Sequence, residues 1–529
     1  MPDKKIKHHS LPAAPGRWPA PALLLAALVL AQAAFKYYIY LDCGSLLPFI
    51  GEAAARLTTA WQWRLEPSFG VHPSWLPLPF WLTGLGIFVF RDPPLAAALL
   101  NSALGLGALW LLGRITLLAF RGNVYICLAA LVAAALNLEH ILQTMYASSD
   151  PVFWCAVLAG VYYALRWWES GASRDLYAAA AGLGLSCLAR YEGWLFCAVF
   201  FGAALYKRKA WGAALAFLPA AAWLGFQALS FGNPLHFLEV SSATNFDHPS
   251  DFPNWQNLRV MARFLFLDPP YVGWGVLLTS WGAFYKPLRG PYLVFAGLPL
   301  LAFTAASFLL STPAIRYHLV VFQLLLCPLW ASAFFLLIRG RKPALRLAYL
   351  GGLLALALFL ALDQWRFYRQ EPHFDRDGRA VTALINSLAS SDWFAGGAFL
   401  AEAPDELPSE ELRRRSNFIT VWAAAALPHR TFFDRDLNYR RAIARGRYLD
   451  RTANRSALDL PSGWLREWLA NREVRVVIAQ NPAGFKAMAA LGGWERSAQV
   501  GPYRVYTQAG DRLGAAVRAY AAGPGLPRQ

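Results

Sequence analysis

Long apolar runs separated by short polar turns fill the chain as far as Leu362, and the pattern stops there. A helix that crosses a bilayer needs about 20 apolar residues. Runs of this kind, several of them short, lie at Pro21–Leu41, Pro94–Leu112, Val124–Ile141, Pro151–Leu165, Leu176–Leu188, Trp194–Tyr206, Ala213–Phe231, Tyr271–Phe284, Tyr292–Leu310, His318–Ile338 and Leu345–Leu362. They predict about eleven spans. Trp75–Phe90 is apolar enough to insert but is read as an interfacial helix. From Asp363 onward Arg, Asp and Glu become frequent and the runs shorten. Ala398–Glu402, Arg475–Gln480 and Tyr503–Gln508 predict buried strands, and Arg379–Leu388 and Ser462–Ala470 predict helices. The fold class expected is mainly α: a polytopic transmembrane helical bundle with a C-terminal extramembrane α/β domain. The divisions are a tail over 1–20, a membrane domain over 21–362 with an outer loop over 42–93, and an outer domain over 363–529.

Charge placement decides how Trp75–Phe90 is read. Cytoplasmic loops collect Lys and Arg. With the N-terminus inside and Trp75–Phe90 not crossing, one side receives Lys4/Lys5/Lys7, Arg114/Arg121, Arg166/Arg174, Lys207/Arg208/Lys209, Lys286/Arg289 and Arg339/Arg341/Lys342/Arg346. Counting that segment as a crossing would move Arg114 and Arg121 outside and invert everything after them. The same topology puts Asp42, Glu52, Tyr146–Asp150, Arg190–Trp194, Gly232–Pro270, Arg316–His318 and everything after Asp363 on the outer side.

Composition agrees with a membrane protein: of 529 residues 57% are hydrophobic and only 15% charged. The net charge of +17 then follows from topology and a basic tail, without nucleic acid as a partner. Six Cys are scattered with no CxxC pair, which predicts neither a disulfide framework nor a zinc site. The basic N-terminus leads into an apolar run without a clear cleavage site, so the first span is read as uncleaved.

The outer stretch Leu41–Phe80 is longer and less polar than a simple connection, and such loops are often functional. It carries Asp42 at the membrane edge and Glu52 on a short amphipathic helix, followed by His72-Pro73. Ionisable groups near the membrane core are costly and mark functional sites. Asp42 reads as a carboxylate that takes a proton from, or orients, an attacking hydroxyl, or as an interfacial anchor or helix cap. Glu52 is a second acid or a solvent-facing residue. Asp150-Pro151 opens the fourth span, where Asp is also ordinary capping chemistry. Arg190-Tyr191-Glu192-Gly193-Trp194 reads as a salt bridge closing a helical hairpin, or as an Arg presented to an anionic headgroup. Arg316-Tyr317-His318 breaks the charge pattern by placing Arg outside, either to snorkel or to bind phosphate. In Gly232–Pro270, His236, Glu239, Asp247 and His248 match no metal motif; a divalent metal is not indicated, and a lid is the preferred reading.

The order of these segments resembles the GT-C superfamily of polyprenyl-phosphate-sugar-dependent glycosyltransferases, in particular its protein O-mannosyltransferase and lipid A aminoarabinose transferase branch. The residues carrying the resemblance are Asp42 after the first span, His72-Pro73-Ser74-Trp75-Leu76-Pro77, Ser149-Asp150-Pro151, Leu188–Trp194, Phe231-Gly232-Asn233-Pro234-Leu235 and Arg316-Tyr317. The family usually has adjacent Asp-Glu in its first loop; here Cys43 follows Asp42 and Glu52 lies further on. The resemblance implies a multi-pass inner-membrane enzyme with a cytoplasmic N-terminus and a periplasmic C-terminal domain. It implies a polyprenyl-phosphate-linked monosaccharide as donor, inversion at the anomeric carbon, and a protein, lipid or polysaccharide acceptor. Asp42 would be the catalytic carboxylate, with Glu52 and Asp150 as further acids. Arg190 and Arg316 would meet the leaving phosphate, with His72, Glu192 and Tyr317 lining the site. Two rival readings are a transporter or flippase of a lipid-linked sugar, which would favour discontinuous helices and polar groups at depth, and a non-catalytic membrane scaffold.

Overall fold

A computed structural model describes residues 30–38, most positions from 56 to 90, 93–238, 254–267, 290–309, 316–338, parts of 351–366, and C-terminal segments between 398 and 518. After the N-terminal helical segment 30–38, the bundle is built from α1 (Leu78–Phe90), α2 (Pro93–Ala119), α3 (Val124–Ala135), α4 (Leu138–Gln143), α5 (Asp150–Ser170), α6 (Ser173–Cys187), α7 (Glu192–Tyr206), α8 (Ala210–Ala214) and α9 (Leu218–Phe231). A 3₁₀ turn, Leu215–Phe217, joins α8 to α9. Then follow α10 (Asn254–Ala262), α11 (Gly290–Leu309) and α12 (Arg316–Ile338).

Helix α5 is the centre of the packing, lying against α2 on one side and α6 on the other. Small residues let α5 and α6 approach backbone to backbone. A Cβ added at Gly182 would sit 2.8 Å from the backbone nitrogen of Gly160, and one added at Gly160 would sit 2.5 Å from Leu183 Cγ. The hairpin between them turns at Gly171, whose φ of 66° is left-handed and favours glycine.

Three of the basic turns, those at Arg114, Arg166 and Lys207, gather at one end of the bundle; Lys4, Lys5, Lys7, Lys286, Arg289, Arg339, Arg341, Lys342 and Arg346 lie outside the described residues. Arg114 and Arg166 both lie against the ring of Tyr162, Arg166 pairs with Asp175 at 3.4 Å, and Lys207 lies over Trp168. For these three turns the clustering is the one that charge placement along the chain anticipates.

The span count differs from expectation. Among the described residues three helical stretches, Leu95–Ala119, Ala210–Phe231 and Gly290–Phe308, are long and apolar enough to cross a membrane. Leu78–Phe90, Val124–Ala135, Glu192–Tyr206 and Leu319–Ala333 are apolar but shorter. Two causes are visible. The run Val124–Ile141 is not one helix: it breaks at Leu136 and Asn137, where the Asn137 side chain caps α4 by accepting from His140 N at 3.1 Å. Helix α5 is long, but its second half carries Tyr162, Tyr163, Arg166, Trp167 and Trp168. The run Tyr271–Phe284 lies outside the described residues, as does the predicted helix Arg379–Leu388.

The C-terminal part forms a five-stranded sheet in the order β2-β1-β3-β5-β4. The strands are β1 (Ala398–Ala401), β2 (Thr431–Phe433), β3 (Val474–Ala479), β4 (Trp494–Val500) and β5 (Tyr503–Gln508), with α13 (Ser462–Asn471) before β3 and α14 (Pro482–Ala490) after it. Strand β1 pairs in parallel with β2 and β3, whereas β5 pairs antiparallel with β3 and β4. Leu465, Leu469, Val474, Val477, Met488 and Tyr506 form its core. The three expected strands and the helix at 462 are present; β2, β4 and α14 are additional.

The α5–α6 contact has a direct test. Gly182→Val pushes a branched side chain into the Gly160 backbone, and overpacking of this kind costs about 1–3 kcal/mol. Thermal unfolding in detergent is expected to shift down for Gly182→Val and to stay at the wild-type value for Gly202→Ala, where an added Cβ meets nothing within 4 Å.

Candidate active site

The end of the bundle opposite the basic turns holds three charged side chains in one buried cluster. Asp150 opens α5 and is 3% exposed, Glu192 opens α7, and Arg190 lies in the turn between α6 and α7. The Arg190 guanidinium faces both acids. Its Nε and Nη2 donate to the two Glu192 oxygens at 3.2 and 3.0 Å, and its Nη1 donates to both Asp150 oxygens at 3.2 Å. The same Nη1 reaches Ser149 Oγ at 3.3 Å. A rigid guanidinium fork suits such two-sided recognition, where a Lys would serve one partner.

Local sequence explains how the three groups meet. Gly193 is required by close approach: a Cβ there would lie 2.6 Å from the carbonyl of Ser186. This closes the α6–α7 turn tightly and aims Arg190 across at α5. Within that hairpin the Cys187 and Cys197 thiols touch at 3.2 Å. Asp150 is steadied from its own segment: Ser148 Oγ lies 2.8 Å from Asp150 Oδ2 and from Gln143 Oε1, and accepts from Asp150 N at 3.1 Å.

A second layer ties the stretch from His72 to Leu78 to this turn. Tyr191 donates to the carbonyl of Ser74 at 2.9 Å, and Leu78 N donates to the carbonyl of Leu188 at 3.1 Å. Tyr191 also stacks on Phe237 with ring centres 4.5 Å apart. The start of the Gly232–Pro270 segment is therefore packed onto the turn that carries Arg190; Glu239, Asp247 and His248 lie outside the described residues. His72 stacks on Trp75 at 4.1 Å, and its Nδ1 accepts from the backbone of Ser74 and Trp75 at 3.2 Å each. It thus shapes the loop that receives Tyr191. Arg56 lies over the other aromatic in that loop, Trp75, at 4.8 Å.

Of the residues singled out in the sequence, Asp150, Arg190 and Glu192 come together, and His72 is linked to them indirectly, through Ser74 and Tyr191. Asp42 and Glu52 lie outside the described residues. Arg316 and Tyr317 open helix α12, and their side chains lie outside the described set. Among the described residues no three His, Cys, Asp or Glu side chains are grouped to hold a metal ion.

Sequence reasoning passed over Lys36, Ser148 and His140. Lys36 sits inside an apolar run and was absorbed into the first span. It donates to Ser102 Oγ at 2.9 Å and Thr144 Oγ1 at 2.8 Å. The available signal was a lone Lys in that run, a costly placement.

No protein-family model matches this sequence, and no curated protein matches it. Solved structures do. ArnT from Cupriavidus metallidurans in the apo state is similar over 95% of this chain and 99% of its own, at 12% identity and a TM-score of 0.58. The same protein bound to undecaprenyl phosphate gives a TM-score of 0.49 at 12% identity, over 96% of this chain and 99% of its own. The Archaeoglobus fulgidus oligosaccharyltransferase in complex with Zn and sulfate gives 0.45 at 11% identity, over 86% of this chain and 68% of its own. The likeness to apo ArnT spans nearly the whole of both chains, so the bundle and the C-terminal sheet share the fold of that protein.

Proposed function

We propose that this chain is a membrane glycosyltransferase that moves a monosaccharide from a polyprenyl-phosphate carrier to an acceptor on the outer face of the cell membrane. The observation that carries the reading is the buried Asp150–Arg190–Glu192 cluster, at the end of a GT-C bundle away from the basic turns. In this reading residues 21–362 form the membrane domain, 363–529 an outer domain, and the N-terminus is cytoplasmic.

The chemistry is a displacement at the sugar's anomeric carbon. Asp42 takes the proton of the acceptor hydroxyl as its oxygen attacks, the bond to the lipid phosphate breaks with inversion, and the phosphate leaves with the electron pair. Glu52 is the second acid of the outer stretch. Asp150 is held on both oxygens by Arg190, and on one by Ser148, so its part is orientation of acceptor or sugar. Arg190 is already engaged by two carboxylates, and its contribution to the leaving phosphate is through the field of the cluster. Arg316, at the start of α12, adds positive charge toward the leaving phosphate as charge develops on it, and Tyr317 lines the site. No nucleotide is needed, because the lipid carrier brings the activated sugar.

The break between α3 and α4 favours a second reading. Discontinuous helices with polar groups beside them are a transporter feature, and a flippase of a lipid-linked sugar would use them.

Sugar transfer in liposomes separates the two. Wild-type protein given labelled polyprenyl-phosphate monosaccharides and membrane extract is expected to transfer label, and folded Asp42→Asn to lose about a hundredfold or more of that rate. Label that crosses the bilayer without transfer would sink the enzyme reading in favour of the flippase.

The cluster makes a further prediction for stability. Removing one partner of a buried ion pair typically costs about 3–5 kcal/mol. Arg190→Gln leaves two buried carboxylates facing each other, whereas Glu192→Gln leaves Arg190 paired with Asp150. Thermal melts should therefore rank Arg190→Gln well below Glu192→Gln, and transfer should fall further in the former. Equal melting temperatures would show that Arg190 does not hold the two acids together.

A further inference from the structure

A second polar cluster lies inside the bundle, beside the α3–α4 break. The N-terminal segment 30–38 presents Gln32 and Lys36, four residues apart and so on one helical face, to this break. Gln32 is buried and its side-chain amide donates to the carbonyl of Ala135, the last residue of α3. Asn137 donates to Gln323 of α12, and Gln323 in turn donates to the carbonyl of Phe264 at 3.3 Å. These contacts satisfy backbone and side-chain groups freed by the break, as an irregular backbone in an apolar bundle requires.

The next layer is not satisfied in the same way. Lys36 donates to the hydroxyls of Ser102 and Thr144. Each hydroxyl spends its own hydrogen on a carbonyl: Ser102 on Thr144 O at 3.0 Å, and Thr144 on Ile141 O at 2.7 Å. An ammonium has three donors and a full charge, so one donor and the whole charge remain without an acceptor of opposite sign among the described residues. His140, one turn before Thr144, is fully buried and stacks on Trp154 at 5.3 Å; neither ring nitrogen has a side-chain hydrogen-bond partner among the described residues, and its polar neighbour is the backbone of Gly105. Gly105 of α2 closes the group, since a Cβ there would lie 2.4 Å from Thr144 Cγ2 and 3.6 Å from His140 Cε1. A half-buried cation with neutral partners and a buried imidazole with no side-chain partner are both expensive, and an anion supplies what each lacks.

We propose that Lys36, His140, Ser102 and Thr144 form an anion site inside the bundle that takes the phosphate of a lipid-linked substrate. The identification of the anion as a lipid phosphate rests on the carrier-lipid reading above; the need for an anion rests on the cluster alone. A phosphate ester offers several acceptor oxygens to the spare Lys36 donor and a His140 N–H, while its isoprenoid tail suits the apolar surroundings. The site is also coupled to the acid cluster. Asn101, next to Ser102, donates to the carbonyls of Tyr146 and Ser148, and Ser148 touches Asp150. The segment from Thr144 to Asp150 thus runs from the proposed phosphate site to the carboxylate, with the Arg190 guanidinium already occupied at its far end.

The test is binding to purified full-length protein in nanodiscs, using farnesyl phosphate, inorganic phosphate and farnesol as probes, with ³¹P NMR and thermal shift as readouts. Wild type is expected to bind farnesyl phosphate and to ignore farnesol. Lys36→Met and Lys36→Gln, the second of which keeps a donor for the two hydroxyls, are expected to weaken binding about tenfold or more, as loss of a charge-assisted hydrogen bond does. His140→Phe, which keeps the stack on Trp154, is expected to weaken it less. Tight binding of inorganic phosphate alone, lost in the same variants, would assign the site to a free anion and overturn the lipid assignment. Wild-type affinity in both folded Lys36 variants, or no phosphate binding by wild type, would overturn the site itself. Lys36-dependent binding without any sugar transfer would leave the site standing and remove the transferase reading.

Discussion

A single guanidinium holds the acid end of this bundle together. Arg190 leaves the α6–α7 turn and meets carboxylates from two different helices, one two residues away and one forty residues away in the chain. Burying three charges is costly, and the cost is offset only when geometry and hydrogen bonding are complete. Here the fork contacts Glu192 through two nitrogens and Asp150 through a third, while Ser148 and Ser149 add further polar contacts. The N-terminus of α5, the α6–α7 hairpin and, through Tyr191, the stretch around Ser74 therefore share one geometry. Conservative exchange of Arg for Lys would not preserve it, because a single ammonium cannot face two carboxylates in the same fixed fork.

Much of this was legible in the chain. The short stretch from Arg190 to Trp194 stood out because two charges and a glycine interrupt an apolar pattern, and Asp150 stood out as an acid at the mouth of a span. Their partnership was not legible: nothing in local sequence says that residues forty apart share a guanidinium, and the hairpin reading of Arg190 with Glu192 was only half of the pairing. The α3–α4 break was missed for a different reason. Val124–Ile141 has the composition of a span, and Asn137 looks like an isolated polar residue until Gln323 is seen to meet it, with Gln32 on the Ala135 carbonyl before it and Lys36 on Thr144 after it. In the sheet, the strands β1, β3 and β5 were readable. Strand β4 was not, since its sequence WERSAQV alternates polar residues that pair across to β5.

The polar groups of the bundle are not scattered. Ser102 and Asn101 are neighbours on α2, and they reach the two ends of one segment: Thr144 at its start, and Tyr146 and Ser148 further along. That segment ends in Asp150 and thus in the Arg190 cluster. Polar contacts of this kind inside an apolar bundle specify one arrangement of helices, because any sliding of α2 against the 144–150 segment leaves several buried donors without acceptors.

The backbone contact between Gly160 and Gly182 has a mechanical consequence. With no layer of side chains between them to slide or change rotamer, α5 and α6 behave as one stiff beam running from the basic end to the acid end. A beam transmits displacement without absorbing it. Reshaping of the acid end during a working cycle is therefore confined to the joints at either side of that beam: the turn from Leu188 to Tyr191, and the segment from Leu136 to Ser149.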